Sequence, residues 1–321
     1  MYFGSVKFFK HLIVIVVVLL IIASIALAIV LSIENKDLKS RLDSEQPIGT
    51  QPSDTAGSPS ATDSEPSATT SKNQPDSTQS LVSQAQWPPE PHGSYAEVLP
   101  NMYAVKNLNS PDISYTNDKN HIYLTFDDGP NYHTSSILDY LKKSGVKATF
   151  FVSPHSNSKN SLKRIVDEGH TIAIHCYSHE YKDIYKNVTA YLEDFNKARN
   201  MIHNQTGLWI DIYRFPGGSI NNHNEKVRDD IFDEMNRRGF VYFDWNVDSK
   251  DTAGANYDSM LRNVPENTKE SIEDEGRAVV LFHDSGNHTS WVIEDIIKKL
   301  KNMNKDYTFS AIDENVRPMQ W

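Results

Sequence analysis

Cysteine is nearly absent from this sequence: Cys176 is the only one among 321 residues. A single thiol cannot form a disulfide within the chain, so the folded part has to be stabilised by a hydrophobic core. A region of more than about 200 residues is large enough to supply that core.

Basic residues are scarce relative to acidic ones. The chain has 32 Lys and Arg against 42 Asp and Glu, and its formal net charge is −10. Proteins that bind nucleic acids need a basic surface that neutralises phosphates. The charge balance therefore argues against a nucleic-acid partner.

Charged residues are missing altogether from residues 12–33. A run of roughly 20 apolar residues is what a helix needs to cross about 30 Å of hydrocarbon. Lys7 and Lys10 precede the run, and positive residues tend to stay on the cytoplasmic side. We therefore expect residues 1–33 to be a cytoplasmic tip and a single-pass transmembrane helix in the cell membrane, with the rest of the chain outside the cell.

A cleaved signal peptide is the alternative for this segment, because Ala26-Leu27-Ala28 resembles a small-residue cleavage site. The apolar run is longer than the roughly 7 to 15 residues that are usual in a signal peptide. Its length favours a retained anchor.

Large apolar residues are rare between the apolar run and the main folded region. Residues 34–45 are charged, and we expect a solvated tether or short stalk there. Residues 46–86 are rich in Ser, Thr, Pro and Gln, and cannot bury enough surface to offset their ordering entropy, which predicts a disordered linker. Residues 87–120 are an irregular lead-in, and residues 121–321 are the main folded domain.

This domain alternates short apolar segments with amphipathic stretches. The apolar segments predict seven strands, at His121–Phe126, Lys147–Ser153, Thr171–His175, Ile210–Phe215, Phe240–Trp245, Arg277–Phe282 and Tyr307–Ala311. The stretches between them have helical apolar spacing, as at Ile137, Leu138 and Leu141 and at Val292, Ile296, Ile297 and Leu300. Such alternation predicts an α/β fold with parallel strands, best fitted by a seven- or eight-stranded barrel, with an open doubly wound sheet as the alternative.

Polar side chains follow nearly every predicted strand at its carboxyl end, where the active sites of barrels are built. Asp127 and Asp128 follow the first strand, and two adjacent carboxylates before Gly-Pro can also form a solvated turn. Because adjacent side chains leave a strand in different directions, one carboxylate can bind a metal ion while the other faces a metal-bound water.

His175 and His179 are four residues apart, which can bring two imidazoles to one ion. Two histidines and one aspartate leave open coordination positions, the pattern of catalytic rather than structural metal sites. We expect a divalent metal here, zinc first, with cobalt or another divalent ion as alternatives.

His283 follows another apolar strand, where a carboxylate can tune its pKa. Asp248, Asp251 and Asp284 are the available carboxylates.

Arg214 also ends an apolar strand and needs an anion, for which Asp127 is one candidate. Gly217 and Gly218 free the backbone to approach a substrate and to offer N–H groups to an oxyanion.

Together these clusters resemble the polysaccharide deacetylases of carbohydrate esterase family 4, or NodB homology domain. Five motifs occur in the family's order: residues 125–130 match TFDDGP, 175–179 are similar to H(S/T)xxH, 214–218 to the arginine-proline motif, 248–251 to the start of DxxDW, and 281–283 match LxH. The resemblance covers residues 121–321 and implies a distorted (β/α) barrel and metal-dependent hydrolysis.

The resemblance also implies a role for individual positions. Asp128, His175 and His179 would hold the metal, with Asp127 as general base and His283 as general acid. Arg214 would support the base, with Lys147 as a second basic candidate. We expect Asp251 to pair with His283, with Asp248 as the alternative. Gly217, Trp245 and Leu281 would contact the substrate or its oxyanion.

Three positions depart from the family pattern. Cys176 replaces the usual Ser or Thr, Thr252 stands where DxxDW has Trp, and Gly217 stands where Tyr is common. The last two remove aromatic walls from the groove, so they bear on substrate fit more than on chemistry.

The expected function is removal of N-acetyl groups from a cell-envelope polysaccharide. The predicted anchor and linker favour peptidoglycan N-acetylglucosamine as the substrate. Alternatives are an O-acetyl esterase acting on xylan-like polymers and a deacetylase acting on chitin or poly-N-acetylglucosamine. A catalytically inactive glycan-binding module is the alternative from another class, but it has no need for the full set of acid, base and metal ligands.

Overall fold

The computed structural model describes residues 87–88, 93–285 and 287–321. This part of the chain contains eight strands and seven helices. The strands are β1 (His121–Asp127), β2 (Thr149–Val152), β3 (Thr171–Ile174), β4 (Ile212–Tyr213), β5 (Val241–Tyr242), β6 (Val247–Asp248), β7 (Arg277–His283) and β8 (Thr308–Phe309). The helices are α1 (Thr134–Ser144), α2 (Lys159–Asp167), α3 (Tyr181–Ile184), α4 (Val188–Thr206), α5 (Arg228–Arg237), α6 (Tyr257–Glu275) and α7 (Asn287–Met303).

All the strand pairs are parallel, in the order β5-β4-β3-β2-β1-β7-β6, with β8 pairing to the first two residues of β1. Apart from β8, this is the strand order of a barrel that is open between β5 and β6, because no pair joins those two strands in the described residues. The predicted α/β fold with parallel strands is confirmed, and its form is a curled, incomplete barrel.

The two faces of the sheet bury different sets of side chains, because successive residues of a strand point to opposite sides. Ile122, Leu124 and Phe126 of β1 face outward and belong to the large core shared with the helices. Tyr123 faces inward, as do Phe151 and Val279, and these pack with Ile312, Val316 and Met319. The last ten residues of the sequence thus help to fill the inner side of the sheet.

The seven predicted strands are all present, and one additional strand gives eight in the described residues, within the seven or eight expected of the barrel. The additional strand, β6, has only two residues and lies within the polar segment after β5. A segment this short has no alternation that a sequence pattern could reveal. The apolar positions predicted to face the core on α1 and α7 are all fully buried.

The lead-in packs on the domain through Arg238, at the end of α5. Its buried guanidinium donates to the carbonyl oxygens of Tyr95, Val98, Leu99 and Met102 at 2.6 to 3.3 Å. Burial of a charge is tolerated here because Glu234 accepts a further hydrogen bond at 2.7 Å.

None of the helices within the described ranges has the length and apolar character needed to span a bilayer. The predicted transmembrane helix and linker lie outside these ranges, so they stay predictions.

Candidate active site

Alternation along the strands places the polar residues of the motifs on the inner face. Asp127 is two residues beyond Thr125 and four beyond the inward-facing Tyr123. His283 has the same parity as Val279 on β7, and the sheet register pairs it directly with Asp127. The two side chains therefore enter one site from adjacent strands.

Asp127 is buried against Arg214. Nη1 of Arg214 lies 2.8 Å from Oδ1 of Asp127, and the two residues are 0% and 3% exposed. The remaining donors of Arg214 bond to Thr125 and to the carbonyls of Phe243 and Asp244. Burial raises the pKa of the Asp127 carboxyl, and Arg214 opposes that shift. A carboxylate with a raised pKa is a stronger base than an ordinary aspartate.

His283 is held by Asp251. Its Nδ1 lies 2.8 Å from Oδ1 of Asp251, and its backbone N–H donates to Oδ2 at 2.7 Å. Burial alone would lower the pKa of His283, but the hydrogen bond to Asp251 and the charges of Asp127 and Asp251 raise it to about 9. His283 is therefore protonated at neutral pH and can act as a proton donor.

Asp128, His175 and His179 form a third group. Oδ1 of Asp128 lies 3.5 Å from Nε2 of His175 and 3.3 Å from Nε2 of His179. The Nδ1 of His175 contacts the carbonyl of Arg214 at 3.0 Å, which leaves Nε2 free as a ligand. Asp128 and His179 have φ of 74° and 57°, a left-handed conformation that non-glycine residues rarely adopt and that is typical of functional sites.

These three side chains fit a divalent metal. Oδ1 of Asp128 is buried and has no hydrogen-bond partner among the described residues, which would be costly for a carboxylate oxygen without a cation. Burial lowers the pKa of His175 to about 3, so its imidazole is neutral, as a metal ligand must be. Two ligands of a tetrahedral zinc ion are roughly 3.3 to 3.4 Å apart, close to the spacings at Asp128.

Cys176 lies beside these histidines, and the possible ligand atoms of His175, Cys176 and His179 are within 4.8 Å of one another. Its sulfur is 3.2 Å from Oγ of Ser153, and burial raises the pKa of the thiol. Because a thiol binds a metal as thiolate, Asp128 fits the third ligand position better than Cys176 does.

The residues predicted to contact substrate surround this group. Gly217 and Gly218 have φ of 77° and 86° and form a turn after Arg214. Trp245 lies beside Gly218, and Leu281, 4% exposed, is two residues before His283 on the same face of β7. The structure thus brings the expected acid, base, ligand and substrate residues to one end of the sheet.

Lys147 and Asp248, which the sequence offered as alternative site residues, make other contacts in the structure. Lys147 precedes β2, at the opposite end of the sheet, and its Nζ donates to the carbonyl of Glu168, so its candidacy for the site is wrong. Asp248 pairs with Lys250 at 2.7 Å rather than with His283.

Several residues that position the site have no sequence signal. Asp194 of α4 accepts the backbone N–H groups of Tyr177 and Ser178, between the two histidines. Thr289 of α7 donates to Oδ2 of Asp251. Each is an ordinary polar residue of an amphipathic helix, and only the folded chain brings it to the site.

A buried carboxylate and a carboxylate-bound imidazole on paired strands, beside two histidines and an aspartate that fit a metal ion, are the arrangement expected of a hydrolytic enzyme.

Comparison with known proteins narrows the class of this enzyme. The sequence model described as Polysaccharide deacetylase matches residues 114–231. The Bacillus subtilis protein YheN is 34% identical over 202 residues, which cover 62% of this chain and 69% of YheN. A peptidoglycan-N-acetylglucosamine deacetylase from Bacillus cereus is 32% identical over 200 residues, covering 60% of this chain and 69% of that protein. The solved catalytic domain of peptidoglycan N-acetylglucosamine deacetylase from Eubacterium rectale has a TM-score of 0.60 and 32% identity, covering 66% of this chain and 97% of that one.

The chain belongs to the polysaccharide deacetylase family, and it is a hydrolase of the deacetylase type. The resemblance that the five motifs indicated is thereby confirmed.

Proposed function

We propose that this enzyme removes N-acetyl groups from peptidoglycan N-acetylglucosamine, in a reaction that depends on a divalent metal held by Asp128, His175 and His179. The observation that carries the reaction type is the pairing of Asp127 with His283 in register on β1 and β7. Burial raises the pKa of the Asp127 carboxyl, and Asp251 stabilises the imidazolium form of His283. Their environments suit them as base and acid.

The metal, zinc in the first instance, would polarise the acetyl carbonyl and make water a better nucleophile at neutral pH. The Asp127 carboxylate accepts a proton from the water as the water oxygen attacks the carbonyl carbon. The backbone N–H of Gly217 stabilises the negative charge that develops on the carbonyl oxygen.

His283 then donates its proton to the amide nitrogen as the C–N bond breaks. Acetate and a free amine on the sugar are the products. Leu281, beside His283 on the inner face, offers an apolar surface to the acetyl methyl group. Arg214 keeps Asp127 in place through the 2.8 Å hydrogen bond.

Peptidoglycan is favoured by two observations. Relatives at 32% identity from Bacillus cereus and Eubacterium rectale are described as peptidoglycan N-acetylglucosamine deacetylases. The uncharged run of residues 12–33, followed by the polar stretch 34–86, suits a membrane anchor and a tether that place the enzyme beside the cell wall. Selective release of the full-length protein from membranes by detergent, and not by salt, would support the anchor.

Acetate release by the purified protein, loaded with zinc or cobalt, tests the proposal on peptidoglycan, chitin oligomers and acetylxylan in parallel. Release from peptidoglycan that stops with a chelator and returns with metal is the expected result. Release from acetylxylan alone would instead make the protein an O-acetyl esterase. Glycan binding without release from any of the three would favour a binding module.

A further inference from the structure

Tyr181 is fixed beside the metal-ligand group by two aromatic neighbours. It begins α3, two residues after His179. Its ring stacks on that of His223, with centroids 4.5 Å apart and planes at 5°, and lies 5.3 Å from the ring of His179. The phenol therefore has little rotational freedom, and its hydroxyl occupies a defined place.

That hydroxyl lies in the space left by Gly217. A Cβ added to Gly217 would be 3.1 Å from Oη of Tyr181 and 3.3 Å from its Cε1. Gly217 thus supplies a backbone N–H but no side chain, and Tyr181 covers the position where a side chain would begin. The adjacent Gly218 is covered in the same way by Trp321, whose Cζ3 would be 2.6 Å from an added Cβ.

Among the described residues, no hydrogen bond joins the Tyr181 hydroxyl to the rest of the protein. Its neighbour Asn221 cannot serve as one through its amide N–H groups, because these already donate to the carbonyls of Pro216 and Gly218. The next ring in the stack provides a contrast. Tyr185, whose ring is 6.2 Å from that of Tyr181, donates its hydroxyl to the carbonyl of Pro216 at 2.8 Å.

We propose that Tyr181 is a substrate-contacting specificity residue, whose hydroxyl hydrogen-bonds the sugar ring that carries the acetyl group. This inference rests on the proposed function. In the proposed mechanism the backbone N–H of Gly217 binds the carbonyl oxygen of the acetyl group. The Tyr181 hydroxyl lies where a side chain of Gly217 would begin, so we place it against the part of the substrate beyond the acetyl group. A pyranose presents hydroxyl groups and a ring oxygen there, which can pair with a phenol as donor or acceptor.

Two substrates separate a sugar contact from a contact with the acetyl group. N-acetylglucosamine oligomers contain both, whereas 4-nitrophenyl acetate carries an acetyl group and no sugar. Tyr181→Phe keeps the ring stack and removes only the hydroxyl. We expect kcat/KM on the oligomers to fall about tenfold, the effect of one hydrogen bond to an uncharged partner, while chelator-sensitive ester hydrolysis and bound metal stay unchanged.

Tyr185→Phe is the matched control, since its hydroxyl bonds to the protein itself. It should lower the stability of the fold and leave the ratio of oligomer to ester activity at the wild-type value.

Several results would overturn the inference. An equal loss on both substrates would place the hydroxyl on the carbonyl group, and loss of metal would give Tyr181 a role in holding His179. Unchanged activity on both substrates would mean that the hydroxyl contacts neither. Wild-type protein that hydrolyses the ester but no N-acetylated glycan would instead overturn the proposed function itself.

Discussion

Asp251 contacts His283 twice, through Oδ1 to the imidazole Nδ1 at 2.8 Å and through Oδ2 to the backbone N–H at 2.7 Å. The two contacts fix the orientation of the ring and direct Nε2 toward the site. They also explain why His283 stays charged although it is largely buried, because the carboxylate offsets the cost of burying the imidazolium.

Replacing Asp251 with Asn should change the pH dependence of the reaction. As the proposed general acid, His283 acts in its protonated form, so wild-type kcat/KM should fall as pH rises through about 9. Without the carboxylate the pKa of His283 should fall, because burial is then opposed only by the charges of Asp127 and Asp128. The descending limb of kcat/KM should move to lower pH, and at pH 10 a move of one pH unit lowers kcat/KM about tenfold.

The measurement is a pH profile of kcat/KM for the wild type and for Asp251→Asn, with Asp248→Asn as the control. Asp248 pairs with Lys250, so its variant should keep the wild-type profile. A descending limb near pH 9 in Asp251→Asn would refute the assignment of His283 as the acid tuned by Asp251.

The two neighbouring carboxylates of β1 and its loop should give separable variants. Asp128→Ala removes a ligand oxygen and should lose metal and activity together. Asp127→Asn keeps the size of the side chain and should retain metal while turnover falls by roughly 10²- to 10⁴-fold, the usual contribution of a general base. Metal analysis and acetate release on the same preparations provide the check. Full activity in Asp127→Asn would exclude Asp127 as the base.

Cys176 should be chemically inert in the folded protein. The residue is 3% exposed, and burial raises the pKa of its thiol, so little reactive thiolate forms near neutral pH. We expect no reaction with a disulfide reagent at pH 8 until the protein is unfolded.

Cys176→Ser should accordingly keep its metal and its activity within about threefold, since Ser153 can hydrogen-bond a hydroxyl as it does the thiol. Loss of metal in this variant, with folding intact, would show that the sulfur is a ligand.

Arg238 should matter for stability more than for catalysis. Arg238→Ala leaves the carbonyls of Tyr95, Val98, Leu99 and Met102 without this donor, while Glu234 keeps its pair with Arg237, and we expect the free energy of unfolding to fall by about 1–3 kcal/mol. Urea unfolding measures this, with the exposed Arg262→Ala as the control, for which a change within about 0.5 kcal/mol is expected. A similar small change in Arg238→Ala would mean that the lead-in contributes little to the fold.

The grouping of the site residues could be predicted because it depends on local patterns. Asp127 and His283 each end a strand, and alternation along that strand decides which face the side chain takes. Parallel strands then bring these ends together at one edge of the sheet. The residues proposed as acid, base and ligands, which the structure brings together, could therefore be named from short segments and their order.

Contacts between distant segments could not be predicted from the sequence and are seen only in the folded chain. Whether Asp248 or Asp251 meets His283 depends on where the intervening loops turn. Tyr181 and Trp321 belong to no sequence motif, yet they pack against Gly217 and Gly218 in the turn after Arg214.

The open form of the barrel is likewise visible only in the folded chain. Strands as short as β4, β5 and β6 have too few residues to show a pattern, and the packing of Ile312, Val316 and Met319 on the inner face is a matter of shape. Periodicity and motif order are properties of neighbouring residues and can be read along the chain. Complementary shape and the pairing of buried charges arise only when remote segments meet, since they depend on the close packing of the interior.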